Sequence, residues 1–157
     1  MMIPYGRQNI TSEDIKAVTE VLQSDFLTQG PAVPAFESAV CAAVGASYGV
    51  AANSATSALH IACLALGVGR GSRVWTSPVT FVASANCALY CDADVDFVDI
   101  DRQTYNISIE ALTEKLIEAE QTGTLPDVVI PVHLAGQSCD MKAIADLAER
   151  FNFKVIE

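Results

Sequence analysis

Four short stretches carry side chains able to do chemistry. The first is Asn53-Ser54-Ala55-Thr56-Ser57-Ala58-Leu59-His60, which follows an apolar run and opens a helical pattern. Small residues and hydroxyls at a helix start leave amide N–H groups free and add O–H donors. They also stand in the positive end of the helix dipole, an arrangement that binds phosphate. An ordinary Ser/Asn helix cap has the same composition. The stretch is neither a GxxxxGK[ST] loop nor a GxGxxG fingerprint. The second is Thr76-Ser77-Pro78-Val79-Thr80-Phe81. It places an aromatic ring between the end of a strand and the start of a helix. That ring can stack on a flat heterocycle or fill the core. The third, Pro131-Val132-His133-Leu134-Ala135-Gly136-Gln137, offers an imidazole and an amide beside a glycine turn; such a histidine serves either a site or the local structure. The fourth joins Tyr5 to Asp25-Phe26-Leu27-Thr28-Gln29-Gly30-Pro31 on irregular segments.

The elements that must position these groups follow from periodicity. Residues 11–24 read as an amphipathic helix, with Thr11 or Ser12 as cap, Glu13 and Asp14 in the first turn, and Ile15, Val18 and Leu22 on one face. Residues 25–34, with one Gly and two Pro, read as a loop. A helix is expected over 34–44, ended by Gly45, and a buried strand over 48–52. Helices are then expected at 55–66, 81–90, 108–121 and 140–150, and strands at 73–76, 95–99, 127–132 and 152–156. Strands alternating with helices of about three turns mean βαβ crossovers and a mostly parallel α/β sheet. The chain divides into an N-terminal arm and helix, 1–34, and an α/β body, 35–157. Because 152–156 reads as a central strand with nothing after it to cover it, the chain is expected to be the N-terminal part of a longer protein.

Composition narrows the class. Net charge is −10, with 9 Lys+Arg against 19 Asp+Glu, which argues against nucleic acid or an anionic membrane as partner. No apolar run reaches membrane-spanning length, and no basic-then-apolar leader opens the chain, so a cytoplasmic location is expected. The five cysteines, Cys41, Cys63, Cys87, Cys91 and Cys139, are an odd number without metal spacing. They read as reduced and mostly buried thiols, and no metal site is expected. A phosphate cradle, a stacking ring and polar groups at successive strand ends together suit a phosphorylated aromatic cofactor.

The stretches MIPYGRQ, SDFLTQGPAVPAFE, NSATSALHIACLALG, WTSPVTFVASANCALY, VDFVDID and PVHLAGQ, spread over essentially the whole chain, resemble the DegT/DnrJ/EryC1/StrS aminotransferases. The resemblance implies a three-layer α/β fold, the large domain of a pyridoxal 5'-phosphate-dependent transferase of the aspartate aminotransferase type, here incomplete. It implies transamination of a 4-keto UDP-sugar in pseudaminic acid type biosynthesis, with glutamate as amino donor, in a homodimer. By position, Thr56 and Ser57 match the phosphate-binding pair and Phe81 the ring that stacks on the pyridine. Tyr5, Asp25, Phe26, Leu27, Thr28 and Ala55 match positions near the sugar nucleotide, while His133 and Gln137 receive no role. The Schiff-base lysine matches none of Lys16, Lys115, Lys142 and Lys154. It is expected beyond residue 157, as is the acid that pairs with the pyridine nitrogen, so this chain alone is expected to be inactive. The alternatives are a non-catalytic phosphate-ligand-binding α/β module, or an aminotransferase or dehydratase of the same family acting on another keto sugar.

Overall fold

A computed structural model describes residues 6–157; Tyr5 lies outside the described residues. Two compact units divide at Ala51/Ala52. The first holds α1 (Ser12–Leu22) and α2 (Ala32–Val44). Helix α1 opens on a capping box: Thr11 Oγ1 accepts the Asp14 amide at 3.3 Å, and Asp14 Oδ2 accepts the Thr11 amide at 2.7 Å. The Thr11 amide, and then the Thr11 hydroxyl donating to the same oxygen at 2.9 Å, hold the Asp14 carboxyl below the usual range. Helix α2 begins two residues before Pro34, with Pro31 as its cap. Pro34 is tolerated there because first-turn amides have no helical acceptor to lose. Gly45 ends the helix at φ 71°.

The expected strand at 48–52 does not form. An apolar run becomes a strand only where another strand takes its backbone groups. Here the chain folds onto α2 instead: the Ala51 amide donates to Glu37 Oε1 at 2.8 Å. Gly49 lies so close that a Cβ would stand 2.9 Å from Cys41 Sγ.

The second unit is built on β1 (Arg73–Thr76), β2 (Asp94–Phe97), β3 (Val128–Ile130) and β4 (Lys154–Val155), all parallel, in the order β2-β1-β3-β4. Its helices are α3 (Ala55–Ala65), α4 (Ala83–Leu89), α5 (Ile109–Thr122) and α6 (Met141–Phe151). Several elements are shorter than expected. The turn 79–82 precedes α4 in place of its first helical residues, β2 ends at Phe97 and β3 at Ile130, each two residues early, and β4 keeps only the two residues that pair with β3.

Handedness decides the layers. The chain steps from β1 to β2 in one direction and from β2 over β1 to β3, then β4, in the other. Right-handed crossovers therefore put α4 on one face and α5 and α6 on the opposite face. The strand alternation agrees. Trp75 and Val129 pack with Leu112 and Leu116 of α5 and Ile144, Leu147 and Phe151 of α6. Val74, Val128 and Ile130 pack with Cys63 of α3 and Cys87 of α4. Within this unit the result is the expected three-layer α/β arrangement.

Cys63, Cys87, Cys91 and Cys139 are buried and Cys41 is half-buried; all are free thiols. Burial, reinforced by the neighbouring Cys87, pushes the Cys63 thiol from 9.0 up to about 12.

Leu116→Ala, at a fully buried α5 position, is expected to cost about 2–5 kcal/mol in urea unfolding. Ile117→Ala, one residue on at a partly exposed position, is expected to cost about 1 kcal/mol or less. The Cys63 shift sets a pH dependence. A raised folded pKa means the folded state keeps a proton the unfolded chain releases, so the contribution is full below 9.0 and is lost as pH rises toward about 12. Unfolding midpoints followed above pH 9 should fall for the native sequence and fall less for Cys63→Ala.

Candidate functional site

Strand order reverses between β1 and β3, and the carboxyl ends at such a switch point are the place where open parallel sheets take ligands. Buried hydroxyl residues, Thr76 and Ser77, finish β1. Thr76 Oγ1, fully buried, donates to Ile130 O at 2.9 Å and ties the two ends together. The Thr80 and Ser84 hydroxyls bond at 2.8 Å, and the Ser84 amide donates to Phe81 O at 3.1 Å. These bonds shape a turn that leaves the Phe81 ring 74% exposed. Phe81 is therefore not a core residue, and its face is free to stack on a planar ligand.

Helix α3 lies on the α4 side of the sheet, joined to it through Cys63 and Leu59. Residues 66–72 turn the chain from the end of α3 into the start of β1, so α3 runs back along the strand and its first turn points toward the carboxyl edge. Ser54 caps the helix: its Oγ accepts the Ser57 amide at 3.2 Å and donates to Ser57 Oγ at 3.1 Å. The cap reading of this stretch thus holds, and it leaves something over. Among the described residues, the amides of Ala55 and Thr56 donate to no protein acceptor. No acidic side chain stands in the first turn, whereas α1 carries Glu13 and Asp14 and α5 carries Glu110 there. The positive end of α3 is therefore not neutralised by its own sequence. The free amides of Ala55 and Thr56, the hydroxyls of Thr56 and Ser57, and an exposed ring on the neighbouring turn suit a phosphorylated aromatic ligand.

Beyond β3, both ring nitrogens of His133 are partnered, by the Cys139 amide and by Glu157. The loop around it is held by a residue that sequence reading missed. Asn106, 4% exposed, donates from Nδ2 to Gln137 O at 2.9 Å and accepts the Leu134 amide on Oδ1 at 3.1 Å. Nothing local to Asn106 announces partners 28 and 31 residues away. The Gln137 side chain is exposed and donates only to the neighbouring Ser138 O, at 3.5 Å.

Asp25, Phe26, Leu27 and Thr28 form an exposed turn of the first unit. Ser24 Oγ accepts the Phe26 amide at 3.3 Å, and Gly30 sits where a Cβ would lie 2.7 Å from Phe26 Cβ. Ala55 begins α3.

A charged cavity of about 490 Å³ opens at the other end of the sheet and is lined by Arg73, Trp75, Asp94, Asp96 and Lys115 among others. Its groups already engage one another. Lys115 Nζ contacts Asp96 at 2.6 Å, donates to Phe97 O at 2.7 Å and lies 4.8 Å from the Trp75 ring centroid. Burial works against the Asp96 carboxylate, but the bonds from Lys115 and the Phe97 amide outweigh it and hold its pKa below the ordinary value. Among the described residues, no group of three or more His, Cys, Asp or Glu can hold a metal ion, and no helix is long and apolar enough to cross a membrane.

The sequence profile of the DegT/DnrJ/EryC1/StrS aminotransferase family matches residues 8–157. The chain is 41% identical over 155 residues to the spore coat polysaccharide biosynthesis protein SpsC of Bacillus subtilis, covering 99% of this chain and 38% of that protein. It is 40% identical over 158 residues to the UDP-4-amino-4,6-dideoxy-N-acetyl-beta-L-altrosamine transaminase of Campylobacter jejuni, covering 99% and 40%. The crystal structure of NtdA from Bacillus subtilis with bound cofactor PMP superposes with a TM-score of 0.84 at 32% identity, covering 94% of this chain and 34% of that one. The chain thus spans about two fifths of the length of the curated relatives it matches.

Asn106→Ala is expected to leave the Gln137 carbonyl without its partner and the Leu134 amide with Val132 O alone, costing about 1–3 kcal/mol. Hydrogen exchange should quicken across 134–139 while α3 keeps its protection.

Proposed function

The chain belongs to the DegT/DnrJ/EryC1/StrS aminotransferase family, and on that premise we propose that the whole protein transfers an amino group to a 4-keto UDP-sugar, with pyridoxal 5'-phosphate as cofactor. The supporting observation is the start of α3, where two amides without protein acceptors and the hydroxyls of Thr56 and Ser57 stand in a first turn free of acid. The 40% identity to a transaminase of an amino-dideoxy UDP-sugar supports the substrate class, and a solved relative with bound PMP supports the cofactor.

In this reading Thr56 and Ser57, with the adjoining amides, hold the phosphate as charge-assisted hydrogen-bond donors. Phe81 covers the ring and excludes water from one face. Asp25, Phe26, Leu27, Thr28 and Ala55, with Tyr5, contact the sugar nucleotide. Residues 35–157 are the N-terminal part of the cofactor-binding large domain, preceded by an arm and helix over 1–34. When bound, the cofactor supplies the electron sink that lets an amino group pass from donor to keto sugar. None of Lys16, Lys115, Lys142 and Lys154 matches the anchoring lysine of the family, so residues 1–157 alone turn nothing over. Glutamate is the donor, the whole protein is a cytoplasmic homodimer, and the pathway is of the pseudaminic acid type. The equal likeness to a spore coat polysaccharide protein favours, as a second reading, the same reaction on another keto sugar.

Titration of the full-length protein with pyridoxal phosphate, followed by its visible absorbance, tests the cradle. Ser57→Ala and Thr56→Ala should each weaken binding about tenfold, the worth of one hydrogen bond to a charged group. Ser57→Asp, which puts a negative charge at the helix start, should abolish it. Normal binding by Ser57→Asp would rule the cradle out. Amino transfer from glutamate to a panel of 4-keto and 3-keto UDP-sugars then separates the two readings.

A further inference from the structure

One side chain ties the carboxyl ends of β3 and β4. His133 Nε2 lies 2.9 Å from Glu157 Oε1, and His133 Nδ1 accepts the Cys139 amide at 3.0 Å. A ring nitrogen that accepts an N–H carries no hydrogen of its own, so the ring's single proton sits on Nε2 and is donated to the carboxylate. Geometry alone therefore selects one neutral tautomer.

The loop that fixes this pose is held from several sides. Ala135 sits at φ 53°, where a residue with a Cβ is strained, and Gly136 follows at φ 84°. Such a conformation persists when its surroundings over-determine it. They do so here: Asn106 grips both ends of the turn, and Cys139 Sγ donates to Val132 O at 3.3 Å. The connection before α5, the end of β3 and the approach to α6 thus cooperate to hold one imidazole. That imidazole delivers one N–H to the residue beyond β4.

The geometry points to His133 as a positioning residue: a neutral imidazole latch that acts through Glu157 to fix the carboxyl end of β4 beside that of β3. Its value to catalysis rests on the function proposed above; the latch itself rests only on the two ring contacts.

Two isosteric variants of the full-length protein separate a latch from a loop support. His133→Gln places an amide N–H where Nε2 stands and gives up the acceptor for Cys139. His133→Asn keeps an acceptor where Nδ1 stands and cannot reach Glu157. A latch predicts that the Gln variant keeps its affinity for pyridoxal phosphate within about threefold while the Asn variant loses about tenfold. The reverse order, or equal losses, overturns it. Nitrogen-15 spectra of the wild-type ring, recorded without cofactor, should show Nε2 protonated and Nδ1 bare, with the Nε2 signal moving in Glu157→Ala. A proton on Nδ1, or a signal indifferent to Glu157→Ala, also overturns it. If the wild-type protein takes up no pyridoxal phosphate, the proposed function fails, and the ring spectra still decide the latch.

Discussion

Trp75 occupies the middle of β1, in register with Asp96 of β2 on one side and Val129 of β3 on the other. That double parallel pairing is the constraint on which the second unit depends. Parallel strands all end at one edge, so the groups that follow β1, β3 and β4 gather there without any further device. Because the chain leaves β1 toward β2 and later passes back to β3, the two connections lie on opposite faces and their loops part above the β1–β3 boundary. The switch point is thus a by-product of strand order and handedness. The hydroxyl of Thr76, buried against Ile130 O, ties the two strand ends there.

Two kinds of polar group line this edge, and they differ in what they have left to offer. The side chains of Thr76, Asn106 and His133 are saturated by protein partners and give the edge its shape. The start of α3 and the ring of Phe81 keep unused capacity. A buried framework carrying a small number of open donors is what a preorganised binding site needs, since the donors lose little freedom when a ligand arrives.

Legibility in the sequence followed the range of the interactions. Strand β1 was bounded correctly, and α3 to one residue, because Gly and Ser turns and a serine cap punctuate them locally. The Ser54 cap and the Gly45 stop were equally visible. The run at 48–52 misled because strand formation depends on a partner, which no window of sequence displays, and Glu37 took its amide instead. For Phe81 the sequence left core and ligand both open, and the ring is exposed in the described residues. Asn106 was invisible because both its partners are distant in sequence. The two ring contacts of His133 likewise reach toward Cys139 and Glu157, one of them 24 residues away.

The salt bridge between Lys115 and Asp96 also bears on how the sheet meets its surroundings. Strand β2 is the outermost on its side, and it presents the exposed acids Asp94 and Asp96, the latter clamped to α5. An incoming β-segment at that margin would have to desolvate carboxylates and break the clamp. The acidic border thus acts as a terminator of lateral strand addition.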